Sequence, residues 1–200
     1  FDSENVRKLN TPHPYNDSCV VWYLGGKLEN RKNSLQTLKL WVRQYGNNPQ
    51  HRLHLHVFNS FLHQDPAQCA ELNKQEIARA FEGKNYWNVN IINSHLKTLT
   101  EMNSLWNSID ISLELSGNEG FSLPTYNTTA LGKHLVALHS NGVADWATEE
   151  NAVLIKPNGI KDSADSRFFH KGQPFNQGDF FTYSDEDAAA AMEKALERFK

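Results

Sequence analysis

The chain alternates between two hydrophobic periods. Cys19-Val20-Val21-Trp22-Tyr23-Leu24 is an unbroken apolar run ending at Gly25-Gly26, the pattern of a strand buried on both faces of a parallel sheet. Leu35, Leu38, Trp41, Val42 and Tyr45 then recur at helical spacing until Asn47-Asn48-Pro49. Leu53, Leu55 and Val57 alternate with His54 and His56 and predict a second strand. Asp65 before Pro66, with Gly83 at the far end, predicts a capped helix over Pro66–Glu82. Trp87–Ile92 reads as a strand, and Leu99, Met102, Leu105 and Trp106 as one face of a helix. Ile109–Leu115 is a further strand, a short helix through Ala130 stops at Gly132, and Lys133–Ala137 and Asn151–Ile155 are apolar again. Residues 156–183, rich in Gly, Pro, Asn and Asp, read as a long loop, functional or mobile, and Ser184 opens a final capped helix. Aromatic residues in that loop (Phe168, Phe169, Phe175, Phe180, Phe181, Tyr183), with Arg167 and His170, read as pinning it to the domain.

Strands separated by helices at this spacing require right-handed crossovers, so the expected fold is α/β, a Rossmann-like doubly wound parallel sheet. Residues 1–18, polar and carrying Pro12 and Pro14, read as an incoming linker, and 19–200 as a single domain. Composition narrows the partners. A net charge of -3 gives no electrostatic footprint for nucleic acid. No apolar run approaches the roughly 20 residues of a membrane-spanning helix, and no signal peptide is evident at the start. Cys19 and Cys69 read as reduced packing residues, so a soluble, cytoplasmic protein is expected.

His51, His54, His56 and His63 invite a metal reading. A strand places only His54 and His56 on one face, however, and no carboxylate or cysteine falls beside them at ligand spacing, so no metal is expected there.

The candidate site is the stretch from Glu114 to Gly142. Its strand breaks into Ser116-Gly117-Asn118-Glu119-Gly120 before a helix start, where glycines allow close approach and unpaired N–H groups favour an anion such as phosphate. Here Glu119-Gly120-Phe121-Ser122-Leu123-Pro124, Ala130-Leu131-Gly132-Lys133 and Asn141-Gly142 resemble the donor-binding signature of the GT-B retaining glycosyltransferases of group 1, such as glycogen synthases and bacterial mannosyltransferases. Their pattern runs EGFGLP, a second acidic residue, A-x-G-x-P-V-V-A, a turn with a glycine, and a helix before a G-L-L-V strand. The second acidic position falls on Asn127, which lacks the charge-assisted strength of a carboxylate. Gly25-Gly26-Lys27-Leu28-Glu29-Asn30-Arg31-Lys32-Asn33 resembles the family's G-G/R-L-x-x-E-K-G loop, with Lys27 at the arginine and Lys32 at the lysine.

The resemblance implies roles. Lys27 and Lys32 would face the diphosphate of a nucleotide sugar, with Gly25 and Gly26 beneath them. Glu119 would bind hydroxyls of the transferred sugar and nothing else, so that its loss would spare binding of a bare diphosphate. Backbone N–H groups near Gly120, Phe121, Ser122 and Leu123 would hold the diphosphate, and Asn127 the ribose. The likeness spans roughly Val20–Phe199, the family's donor-binding half. It implies an N-terminal half that binds the acceptor and through which any peripheral membrane contact would run, with retaining hexosyl transfer in polysaccharide biosynthesis needing no metal or other cofactor. Transfer by the donor half alone is not expected. Asp185 and Asp187 spell a D-x-D, but acidic residues at a helix start already have a capping and dipole role. Two alternatives stand beside this reading: a nucleotide- or sugar-binding module without turnover, and a sugar-nucleotide epimerase half, against which Glu119–Pro124 argues. A dehydrogenase lacks its G-x-G-x-x-G after Leu24.

Overall fold

Both faces of β1 (Val20–Gly26) are covered, as its unbroken apolar run requires. Trp22 and Leu24 enter a core shared with α1 (Ser34–Tyr45), whereas Val21 and Tyr23 face the opposite way, towards Trp106 of α3 (Leu99–Asn107). The computed structural model describes residues 6–15, 18–94, 96, 98–164, 169–174 and 177–200. β2 (His51–Val57) lies parallel to β1, with Leu53, Leu55 and Val57 on the α1 side. Its histidines have ordinary partners: Trp22 Nε1 donates to His51 Nδ1 at 3.2 Å, and His54 Nδ1 meets Asn90 Nδ2 at 3.0 Å. Among the described residues no three His, Cys, Asp or Glu side chains are grouped to hold a metal ion.

α2 (Pro66–Ala80) begins where Asp65 accepts from the Ala67 N–H at 3.1 Å, and leads to the short edge strand β3 (Val89–Ile91). A capping box between Thr98 and Glu101 starts α3, after which β4 (Ile111–Glu114) inserts beside β1. α4 (Leu123–Ala130), β5 (His134–Leu138) and β6 (Val153–Ile155) follow, and α5 (Asp185–Phe199) returns over β5 and β6 to share the α1 core through Ala188, Met192 and Ala195. The Ser184 hydroxyl caps this helix by accepting from the Asp187 N–H at 3.0 Å, while the Asp185 carboxylate accepts from Gln36 and Arg43 of α1 at 3.0 and 2.7 Å. The sheet order is β3-β2-β1-β4-β5-β6, every pair parallel. The chain runs outward from β1 to β3 and then crosses back to β4. The order therefore reverses between β1 and β4, and a crevice opens there beyond their carboxyl ends.

Three segments differ from the sequence expectation. The stretch 156–183 is not one loop: β7 (Gly159–Asp162) and β8 (Asp179–Thr182) pair antiparallel within it. Each strand is only four residues long and three of the eight positions are acidic or glycine-like turn formers at the ends, too brief to show a period. Arg167, Phe168 and Phe175 lie outside the described residues. Where the resemblance implies a helix between β5 and β6, a single 3-10 turn at Asn141–Val143 stands instead. Residues 6–15, expected as a linker, pack on α3: Val6 is buried against Trp106, and the N–H groups of Arg7 and Leu9 donate to Asn103 Oδ1 and Asn107 Oδ1 at 3.0 and 2.9 Å. The polar look of this segment reflects backbone docking onto asparagines, which carries no hydrophobic signal.

Candidate functional site

The loop after β1 and the loop after β4 meet at the crevice. Past Gly26 the chain makes a 3-10 turn at Asn30–Lys32, then enters α1 through Asn33, whose left-handed backbone (φ 51°) is held by its own side chain donating to the Leu115 carbonyl at 2.9 Å. Gly117 N–H donates to the Arg31 carbonyl at 2.8 Å, clamping the two loops backbone to backbone. Gly26 sits at φ 125°, open only to glycine, and the Lys32 stem lies back across it, 3.4 Å from where a Cβ would stand.

These loops bring Lys32 and Glu119 into an ion pair, with both side chains about nine-tenths buried. Arg31 joins them. Its Nη1 donates to the Asn118 carbonyl at 2.6 Å and to Glu119 Oε1 at 2.9 Å, and its Nη2 donates to Glu29 Oε1 at 2.6 Å. The four charges balance, two cations against two carboxylates, so little net field remains until one partner is displaced. Lys27 is not in this cluster; its ammonium lies 4.7 Å from the centroid of the Phe61 ring, on the exposed side of the loop. Glu29 and Arg31 were not singled out by the sequence, where a Lys/Arg-rich turn reads equally as a solvated one.

Beyond Glu119 the backbone is shaped by a buried carboxylate the sequence reading did not assign. Glu114, 4% exposed at the end of β4, accepts from the Ser122 hydroxyl, from Thr125 Oγ1 at 3.2 Å and from the Ser116 N–H at 3.3 Å. This holds Ser122 in a left-handed conformation (φ 61°) at the start of α4. Among the described residues the backbone N–H groups of Phe121, Ser122 and Leu123 take no acceptor, and Pro124 has none to offer. The third strand end contributes Gly142, whose N–H donates to the Glu119 carbonyl at 3.1 Å. A Cβ on Gly142 would stand 1.8 Å from the Gly120 carbonyl oxygen, so the glycine demanded by close approach is Gly142, while Gly120 itself has open space. Trp146 Nε1 donates to the Phe121 carbonyl at 2.8 Å, and Phe121, Tyr126 and Trp146 pack together on the surface. Asn127 is half-buried one turn into α4.

Gly25, Gly26, Lys32, Glu119, Gly120, Phe121, Ser122 and Leu123 thus gather around one crevice, Lys27 stands at its outer edge, and Asn127 one helical turn back. A cleft of about 480 Å³ opens alongside, between Glu29, Asn33 and Glu76 on one wall and Lys161 and Phe180 of the hairpin on the other. Lys161 Nζ reaches Asn33 Oδ1 at 3.4 Å, and the Phe181 N–H donates to the Gly117 carbonyl at 2.8 Å, so β7 and β8 buttress the loops after β1 and β4.

No protein-family model matches the chain, and no curated protein sequence does. Solved structures do match in shape. The C-terminal domain of a glycosyl transferase group 1 family protein (LpcC) from Francisella tularensis superposes with a TM-score of 0.58 at 16% identity, over 90% of this chain and 75% of that one. Sucrose-phosphate synthase from Thermosynechococcus elongatus gives 0.60 at 15% identity over 98% of this chain and 41% of its own, and the catalytic domain of starch synthase IV from Arabidopsis thaliana, bound to ADP and acarbose, gives 0.59 at 11% over 94% and 32%. The chain spans less than half the length of these two synthases. It has the fold of the C-terminal domain of GT-B glycosyltransferases, a six-stranded parallel sheet between helices.

Proposed function

We propose that this chain binds a nucleoside-diphosphate sugar and presents it for retaining transfer to a saccharide or other acceptor held by an N-terminal domain, as one half of a cytoplasmic hexosyltransferase of polysaccharide synthesis. The observation that carries the reading is the convergence of Lys32 and Glu119 at the reversal point of the sheet, the place where open α/β sheets take their ligands. The coverage of only part of the synthases' length supports a second domain, and the two free, buried cysteines suit a reducing compartment.

In this reading the diphosphate lies over Gly26 and against the N–H groups of Phe121, Ser122 and Leu123, with Lys32 beside it and Lys27 at the rim. As the bond from the anomeric carbon to the phosphate oxygen breaks, its electron pair passes to that oxygen. A fixed cation then stabilises the departing diphosphate more than the bound donor. Glu119, released from the cations, accepts hydrogen bonds from sugar hydroxyls, and the Asn127 amide meets the ribose. The chemistry uses protein cations and dipoles and calls for no metal.

Isothermal titration with UDP, GDP and ADP, with and without EDTA, is the test. One of them is expected to bind, equally well without metal, and Lys32→Ala is expected to weaken it by about 1.5 to 3 kcal/mol, the range for a charged hydrogen bond. Absence of binding by all three at millimolar concentration would sink the reading. A strict metal requirement would move the diphosphate away from these lysines.

A further inference from the structure

We infer that Arg31 is the second cation of the diphosphate site, in the role that the sequence resemblance gives to Lys27, and that Glu119 holds this cation in reserve until a donor displaces it. The inference rests on the function proposed above. In the loop pattern set out for the sequence, the residue before the lysine is a glutamate and the arginine stands five residues before that lysine. In this chain lysine stands at the arginine position, Lys27, and arginine at the glutamate position, Arg31, directly before Lys32. The guanidinium has moved four residues along the loop, and the structure shows where it goes.

Arg31 is fixed at both ends. Its carbonyl accepts from the Gly117 N–H at 2.8 Å, and its guanidinium bridges the Asn118 carbonyl, Glu119 and Glu29. It therefore stands in the crevice already oriented, and binding need not freeze a long side chain. Lys27 has the opposite character, an exposed ammonium resting on the face of Phe61 at 4.7 Å. A guanidinium has five donors in a planar fork. Its bonds to Asn118, Glu119 and Glu29 use three, which leaves Nε–H and one Nη2 hydrogen for phosphate oxygens.

Arg31 and Lys32 both reach the same oxygen, Oε1 of Glu119. One carboxylate oxygen is a poor match for two cations, whereas a diphosphate offers several oxygens and more charge. Exchange of Glu119 for diphosphate on the pair Arg31 and Lys32 thus keeps both cations satisfied. It also frees the Glu119 carboxylate beside the place where the sugar must lie.

The test compares wild type with Arg31→Ala, Arg31→Lys and Lys27→Ala, using whichever of UDP, GDP or ADP the wild type binds, and the matching nucleoside observed by saturation-transfer NMR. Arg31→Ala is expected to weaken the diphosphate roughly 10- to 100-fold. Arg31→Lys should recover part of the loss, and Lys27→Ala should cost less than about 3-fold, as an exposed charge does. The nucleoside should bind all four proteins alike, because a direct contact with phosphate leaves the base and ribose untouched. A larger loss from Lys27→Ala than from Arg31→Ala would return the role to Lys27. Equal weakening of nucleoside and diphosphate by Arg31→Ala would reduce Arg31 to a brace of the loop, and the inference would fall while the proposed function stood. If the wild type binds none of the three diphosphates, the proposed function falls first.

Discussion

Glu119 shares one carboxylate oxygen between Arg31 and Lys32, so its charge is engaged by protein cations. Sequence spacing places Glu119 and Lys32 at the ends of two strands, but it carries no information on whether two opposite charges there touch each other or a ligand. They touch each other. On the proposed function, the pair with Lys32 and Arg31 gives the loss of Glu119 an effect on the bare diphosphate that a contact with sugar alone would not have. With the carboxylate gone, Lys32 and Arg31 lose the group that competes with phosphate for them. Glu119→Gln should tighten binding of the bare diphosphate by about 2- to 10-fold, the modest net worth of a charge pair whose attraction is offset by desolvation, while weakening the matching nucleotide sugar. Titration of both ligands against the variant checks this, and an unchanged or weaker diphosphate would mean that the two groups do not compete. Asn33 illustrates the same limit. Its left-handed backbone and its bond to the Leu115 carbonyl join two loops far apart in sequence, and nothing in the local string announces the partner.

At the scale of elements, the strands and helices with strong periods were readable. β1 announced itself by six apolar residues in a row, β2 by alternation, α2 by its cap and α3 by its apolar face. The hairpin of β7 and β8 was not, because it builds no core of its own. Ile160 remains largely exposed, Phe180 packs inward, and the hairpin is held by the Phe181 N–H on the Gly117 carbonyl. Its position is set by a hydrogen bond to a distant loop, which no local pattern encodes. The turn after β5 is similar: Asn141-Gly142 looks like a generic turn, yet its glycine is required by the backbone of another element. Gly142→Ala would drive a methyl group into the Gly120 carbonyl. We expect it to lower stability by about 1 to 3 kcal/mol, as overpacking does, and to abolish most nucleotide binding by shifting residues 119–122. Urea unfolding and titration on the same sample measure both, and a variant with wild-type stability and affinity would show that this contact yields freely.

The whole molecule carries a pH dependence that belongs to its histidines. Burial holds His51 and His54 below the ordinary histidine value of 6.5, so each is neutral in the fold where the unfolded chain takes up a proton. Their contribution is fully present above pH 6.5 and is lost as the pH falls below it. The urea midpoint should drop between pH 7.5 and 5.5, and His54→Gln should shrink that difference; a midpoint that holds or rises on acidification would contradict the sign. The doubly wound order has a separate consequence for how the crevice comes into being. Arg31 and Glu119 are 88 positions apart, and β4 must slot between β1 and β5 before they can meet. A segment holding only the first strand-helix-strand unit has both cations, Arg31 and Lys32, and Glu29 but lacks Glu119, and a segment starting at β4 has Glu119 and neither cation. The crevice is thus assembled by the pairing of β1 with β4, the longest connection between neighbouring strands of the sheet and so the strand pairing with the largest loop-closure entropy. On the proposed function, a nucleotide bound there would tether early and late parts of the chain to each other. It would act as a removable cross-link, adding its binding free energy to the cohesion of the entire sheet rather than to the two loops it touches.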